Sequence, residues 1–278
     1  MADRPAPAGR THPTVKAARA LRRRRERTGT GLLLVEGPNA LAEAVDHLER
    51  VFVGETASSH ARAVADESAA RGVPVLAVRD AALASLADAE TPQGVVGVAR
   101  RPVADLGTVL PGADLLVVLD RIADPGNAGT VIRTADAAGA DAVVLTADSV
   151  DPTNAKAVRA SAGSLFHLPV IDGVTVDAVV AACRSAGLRL VGTAADAPAS
   201  YHDLCLSDPT AIVFGSEAHG LSDQMSDQID VTASVPMMRL SRSGYRGHAE
   251  SLNLATTAAV VLFEIVRQRG PRGADEER

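Results

Sequence analysis

The feature that most constrains this chain is a rhythm of short, continuously apolar runs set between longer stretches of helical pattern. Six such runs lie in the second half: "DLLVVLD" (114–120), "AVVLT" (142–146), "HLPVI" (167–171), "LRLVGT" (188–193), "AIVFG" (211–215) and "VTASVPM" (231–237). Runs this short do not make core helices, and they lack the polar alternation of a strand with one wet face. They read as strands buried on both sides, which requires helical crossovers and a mainly parallel sheet. A shorter series, "LLLVEG" (32–37), "VFVG" (51–54), "PVLAV" (74–78) and "GVVGVAR" (94–100), alternates with helix-like stretches near 39–48, 57–71 and 80–87. The fold class is therefore α/β, in two parts. "RPVADLGTVLPGAD", with Pro102, Gly107, Pro111 and Gly112, separates them as a linker. The expected organisation is a basic, partly disordered arm over 1–30, a small domain over 31–100, a linker over 101–113, a larger domain over 114–270 and a disordered tail over 271–278.

Charge is unevenly spread. The chain carries a formal −6, yet residues 1–30 hold Lys16 and eight arginines against Asp3 and Glu26, a local +7 that leaves −13 for the rest. A basic arm on an acidic body suits phosphate contacts, and Arg22, Arg23, Arg24 and Arg25 in "LRRRRER" are the candidate phosphate anchors; a solvated helix face is the alternative. Cys183 and Cys205 have no metal-ligand spacing, and no metal site is expected. No apolar stretch reaches the length of a membrane span, and the N-terminus lacks the apolar core of a secretory signal, so a cytoplasmic protein is expected.

Ligands of open α/β sheets bind beyond the carboxyl ends of the strands. Three loops there are unusual: "DRIADPGNAGTVIR" after "LLVVL", "FGSEAHGLS" after "AIV", and the segment from "VPMM" to "ESLN". Each brings glycine or polar backbone to one sheet edge, as a polar cofactor requires. Neither a Gly-x-Gly-x-x-Gly turn nor a Gly-Lys-Ser/Thr loop occurs, which disfavours dehydrogenases and kinases.

In order and in combination, "NAGTVIRTADAAGA", "VFGSEAHGLS" and "VPMM…ESLNLATTAAVVLFE" resemble the three signature motifs of SpoU-type RNA ribose 2'-O-methyltransferases of the SPOUT superfamily. The resemblance spans about residues 31–268 and includes a small N-terminal substrate-binding domain ending in "TPQGVVGVA". It implies a C-terminal domain with a trefoil knot, a feature that periodicity would never suggest. It also implies S-adenosyl-L-methionine as cofactor and a homodimer with active sites at the subunit interface. The implied reaction is methylation of a ribose 2'-hydroxyl, with 23S ribosomal RNA preferred as substrate. Transfer RNA is the alternative, and a non-catalytic RNA-binding protein on the same scaffold is the rival from another class.

The resemblance carries over to single residues. Arg133 takes the activating position, Asn127 supports it, Glu217 matches the glutamate of the second motif, and Ser251 and Asn253 match the third. A guanidinium stays protonated at neutral pH, so Arg133 reads as a phosphate anchor that favours the developing alkoxide and not as a base. Cofactor contacts fall on Thr193, Gly215, Val235 and Leu252. His219 reads as a loop histidine and His167 as sheet-edge packing. Between Met238 and Ser251 stands "RLSRSGYRGHAE", longer than in most relatives. Its Arg242, Tyr245 and Arg246 make it a candidate RNA-contacting flap, with a tolerated insertion as the alternative.

Overall fold

The structure, a computed structural model, describes residues 6–89, 91–237 and 251–270. Arg242, Tyr245 and Arg246 lie outside the described residues. The chain forms two compact units. One comprises residues 1–102 together with 151–167; the other comprises 103–150 and 168–278.

The first unit opens with two helices, α1 (Pro13–Ala20) and α2 (Arg24–Thr30). Pro13 sits in the first turn of α1, where its missing N–H costs nothing. Gly31 ends α2 at φ 68°, a conformation glycine adopts without strain. Residues 13–30 are thus folded, not an arm. Val15, Ala18 and Leu21 are buried in one core with Phe52, Leu83 and Leu86, while Lys16, Arg19 and Arg22 to Arg25 stay exposed. The sheet that they cover contains β1 (Leu32–Glu36), β2 (Leu48–Gly54), β3 (Val75–Val78) and β4 (Val95–Arg100) in the order β1-β4-β2-β3. β4 is antiparallel to both β1 and β2, and β3 is parallel to β2. Helices α3 (Pro38–Glu43), α4 (Ser59–Ala70) and α5 (Asp80–Ala84) complete the connections.

The second unit begins at a single-turn helix, α6 (Leu106–Val109). It continues through β5 (Leu115–Asp120), α7 (Pro125–Ala137) and β6 (Ala142–Thr146). After the segment 151–167, which contains α8 (Ala155–Ser161), it resumes with β7 (Val170–Val174), α9 (Val176–Ser185), β8 (Arg189–Thr193) and β9 (Ala199–Ser200). It ends with β10 (Thr210–Gly215), α10 (Asp223–Ser226), β11 (Val231–Ser234) and α11 (Leu254–Arg269). The strand order is β7-β6-β5-β10-β8-β11-β9, and every pairing is parallel. Strands β5, β6 and β7 step outward on one side, and the later strands fill the other. The chain therefore reverses direction across the sheet between β5 and β10, the position where loops diverge and leave a crevice.

All six apolar runs of this unit are strands. β7 starts later than the run "HLPVI" because Pro169 has no N–H to donate; its carbonyl accepts from Val143 instead. The two-residue edge strand β9 has no apolar run to announce it. Cys183 lies in the core among Val144, Val179 and Val213, where burial pushes its thiol up to about 12. Cys183 and Cys205 are both free thiols. The last helix, α11, packs along α7, and at its end the Arg269 guanidinium donates to the Leu206 carbonyl (2.8 Å) and the Asp114 carbonyl (3.1 Å). No helix among the described residues is long and apolar enough to cross a membrane.

The segment 151–167 leaves the second unit between β6 and β7 and packs in the first, with α8 against β1. The domain expected over 114–270 is thus interrupted. Polar contacts hold the excursion, among them Asp151 with Arg27 (2.5 Å), Arg159 with Asp88 (3.1 Å) and His167 with Glu43 (3.1 Å). Gly163, at φ 105°, lies where a Cβ would come within 2.6 Å of Glu43 Cβ, so no other residue fits there. His167 is accordingly a contact of this excursion and not packing at the sheet edge.

Candidate active site

The carboxyl ends of β8, β10 and β11 and the start of α11 enclose a cavity of about 530 Å³ in the second unit. Its wall contains Thr193, Gly215, Val235 and Leu252, the four residues expected to contact a cofactor, and also Glu217, Ser251 and Asn253. Ser216, Gly220, Met237 and Thr257 line it too and carried no individual signal in the sequence.

The glycine at the end of β10 is dictated by packing. A Cβ on Gly215 would stand 2.2 Å from the backbone carbon of Gly220 and 2.3 Å from the Leu221 nitrogen. Backbone cannot yield as a flexible side chain can, so the hairpin after β10 closes only over glycine. That hairpin is held by reciprocal hydrogen bonds: Ser216 N–H to the Gly220 carbonyl (2.9 Å) and Gly220 N–H to the Ser216 carbonyl (2.8 Å). Its tip carries Glu217 and the exposed His219, whose N–H donates to Ser216 Oγ (3.2 Å).

On the opposite side of the crevice, α7 begins as the sequence "ADPGN" directs. Asp124 caps the helix, accepting from the Asn127 N–H at 2.8 Å, and Pro125 occupies the first turn. The N-cap is a residue that the sequence reading passed over, although an Asp before Pro at a helix start is a local signal for it. Asn127 then makes two side-chain contacts that join all three motif loops. Its Nδ2 donates to Glu217 Oε1, and its Oδ1 accepts from Asn253 Nδ2 at 3.2 Å. Asn253 also caps α11, accepting from the Ala255 N–H at 2.8 Å. Ser251 lies two residues before that cap and takes no part in it.

Five of the motif residues therefore separate into two sets. Asn127, Glu217 and Asn253 form one hydrogen-bonded row beside the cavity, and Ser251 stands in its wall. Arg133 lies further along α7, exposed, with no ion-pair partner among the described residues. An exposed guanidinium without a carboxylate is free to take an external anion. Arg22 to Arg25 belong to the first unit, where Arg22 lies 3.8 Å from Asp88 and the others have no ion pair among the described residues.

Comparisons with known proteins agree with this layout. Residues 114–263 match the SpoU rRNA Methylase family, and residues 12–97 match the MRM3-like substrate binding domain. The chain is 32% identical over 254 residues to the 23S rRNA (guanosine(2553)-2'-O)-methyltransferase RlmP of Bacillus subtilis, covering 90% of this chain and 95% of that protein. The AdoMet-bound rRNA methyltransferase from Sinorhizobium meliloti superposes with a TM-score of 0.78 at 32% identity, over 92% of this chain and 95% of that one. The SpoU methyltransferase AviRb from Streptomyces viridochromogenes, in complex with AdoMet, does so with a TM-score of 0.78 at 31% identity, over 92% and 98%. With the motif loops gathered at one crevice and both parts of the chain matched, this protein belongs to the SpoU rRNA methylase family.

Proposed function

We propose that this protein methylates a ribose 2'-hydroxyl of RNA with S-adenosylmethionine as donor, and that 23S ribosomal RNA is its substrate. The row Asn253–Asn127–Glu217 beside a cavity lined by Thr193, Gly215, Val235 and Leu252 carries this reading. The cavity suits the cofactor chemically. Val235, Leu252 and Met237 offer apolar surface for an adenine, Gly215 permits close backbone approach, and Thr193, Ser251 and Glu217 supply polar groups. When bound, the cofactor supplies an electrophilic methyl on a sulfonium.

The residues of this chain supply the rest. Methyl transfer needs the acceptor oxygen in line with the methyl and stabilised as it loses its proton. Glu217, accepting from Asn127, orients that amide, and Asn127 in turn orients Asn253, so one carboxylate fixes the polar edge of the site. Arg133 stays cationic, binds the phosphate beside the target ribose and favours the developing alkoxide. The exposed arginines of α1 and α2 add affinity for the RNA backbone.

The C-terminal loops are read as the trefoil knot of the family, and the functional form as a cytoplasmic homodimer. Support for the dimer lies on α11, where Phe263 is 50% exposed on a helix packed along α7. A second copy of the chain placed against α7 and α11 would bring its own surface to Arg133. Mass-spectrometric mapping of 2'-O-methyl groups in RNA from a deletion strain and its parent tests the activity. Loss of one modification in 23S rRNA is expected. Loss from transfer RNA moves the substrate to the alternative, and cofactor binding with no lost methyl group leaves a non-catalytic RNA-binding protein.

A further inference from the structure

Asp120, the last residue of β5, is fully buried and is used by none of the steps above. Its two carboxylate oxygens serve two different parts of the chain, the end of β6 and the hairpin after β10. Oδ2 accepts from the backbone N–H of Ser222 at 2.6 Å, and Oδ1 accepts from Thr146 Oγ1 at 3.1 Å. Thr146 Oγ1 itself accepts from the Arg121 N–H at 3.0 Å. Arg121 is held at φ 55°, a left-handed conformation that an arginine rarely adopts. A buried carboxylate is costly unless its oxygens are hydrogen-bonded, and here both are.

The Ser222 contact falls at the foot of the hairpin after β10. Two residues before it is Gly220, whose backbone seals Gly215 and pairs with Ser216; between them, Leu221 stands over Gly192, where a Cβ would meet its Cδ1 at 2.8 Å. The tip of the same hairpin carries Glu217, the acceptor for Asn127. The carboxylate therefore joins the end of β5 to the foot of the loop that forms one wall of the cavity. We propose that Asp120 is a positioning residue that fixes the 216–222 hairpin, and through it the cofactor wall at Gly215 and the Glu217–Asn127 contact. The consequence for the cofactor rests on the reading that the cavity takes S-adenosylmethionine; the consequence for the hairpin does not.

Asp120→Ala removes both contacts from a packed interior and risks loss of the fold. A gentler pair isolates the Ser222 contact. Ser222 has φ −65° and ψ 152°, a backbone that proline accepts, so Ser222→Pro deletes the N–H that Asp120 binds. Ser222 Oγ caps α10 by accepting from the Met225 N–H, so Ser222→Ala removes only that cap and keeps the N–H. Two measurements apply to both variants of the full chain. Hydrogen exchange at the Ser216 and Gly220 amides reads the hairpin with no ligand present. Calorimetry with S-adenosylmethionine reads the cavity. In Ser222→Pro these amides exchange at least about tenfold faster and the cofactor binds at least about tenfold more weakly, the scale of a hydrogen bond to a charged acceptor. In Ser222→Ala both stay near the parent. Parent-like exchange in Ser222→Pro, or equal effects in the two variants, overturns the proposal. A parent that does not bind S-adenosylmethionine overturns the reading of the cavity, and the exchange measurement still decides the role of Asp120.

Discussion

Arg27 and Asp151, 124 residues apart in sequence, meet as a buried ion pair with Nη2 2.5 Å from Oδ2. The guanidinium is otherwise spent on the carbonyls of Leu21 (3.0 Å) and Arg22 (2.9 Å) and on Thr153 Oγ1 (3.0 Å), and Thr153 returns its N–H to Asp151 Oδ1 at 2.8 Å. One arginine of the basic N-terminal stretch is thus structural, while its neighbours in sequence face solvent. Arg27→Ala leaves a carboxylate buried without its cation, at a cost of about 3–5 kcal/mol. Urea unfolding measures it. The double variant Arg27→Met with Asp151→Leu should be less destabilised than Arg27→Ala, because it buries no unpaired charge.

The same pair sets a pH dependence. Burial pushes the Asp151 carboxyl up, but hydrogen bonds from Thr153 and Arg27 and the charge of Arg27 outweigh it, and the group ends below its ordinary value. A carboxyl whose folded value is depressed contributes stability that is fully present above its unfolded value of about 3.9 and is lost as the pH falls through the folded one. The urea midpoint of the parent should therefore drop more steeply below about pH 4 than that of Asp151→Asn. Parallel acid limbs would assign the loss to other groups.

The exposed arginines can be separated from the folded core of the helices that carry them. Deleting residues 1–30 would remove Val15, Ala18, Leu21 and Arg27 from the first unit and so confound binding with stability. Changing Arg23, Arg24 and Arg25 together to Ser leaves those buried groups in place. RNA affinity is expected to fall, and the slope of log affinity against log salt to flatten by about 2 to 3 for three lost phosphate contacts. An unchanged slope in filter binding would make this face merely solvated.

Arg133→Ala should bind cofactor as the parent does, since Arg133 is absent from the cavity wall. Methyl transfer under single-turnover conditions is expected to fall at least about a hundredfold, the scale of losing a preorganised charge-stabilising group. Parent-like turnover by the purified variant would remove Arg133 from the mechanism.

Gly215→Ala places a methyl group into the backbone of Gly220 and Leu221, so the hairpin must move. Cofactor affinity measured by calorimetry should drop at least about tenfold, together with a loss of thermal stability of about 1–3 kcal/mol for an overpacked site. Affinity equal to the parent would mean that the cofactor does not use this wall.

Local pattern carried the strands, because a continuous run such as "LLVVL" has few ways to be buried other than between two helical layers. Two things escaped it for one reason. The placement of 151–167 in the first unit depends on Arg27, Glu43 and Asp88, all far upstream, and the segment itself reads as an ordinary connecting helix. Asp120 sits at the end of an apolar run like any strand-terminal acid, and its partners at Thr146 and Ser222, the latter 102 residues later, mark it. Thr193, Gly215, Val235 and Leu252 are singled out through the resemblance of their loops to a family and not through spacing, since they share no local pattern, and the structure gathers them around one cavity.

The excursion of residues 151–167 means that the chain passes between its two units three times. A gene divided at the linker would not yield two whole parts. The upstream product would lack α8 and the partner of Arg27, and the downstream product would carry a stretch whose apolar contacts it could not satisfy. Substrate capture and methyl transfer in this protein are therefore inherited as one indivisible piece. Recombination can exchange the pair, and neither half can be borrowed alone without first being rebuilt.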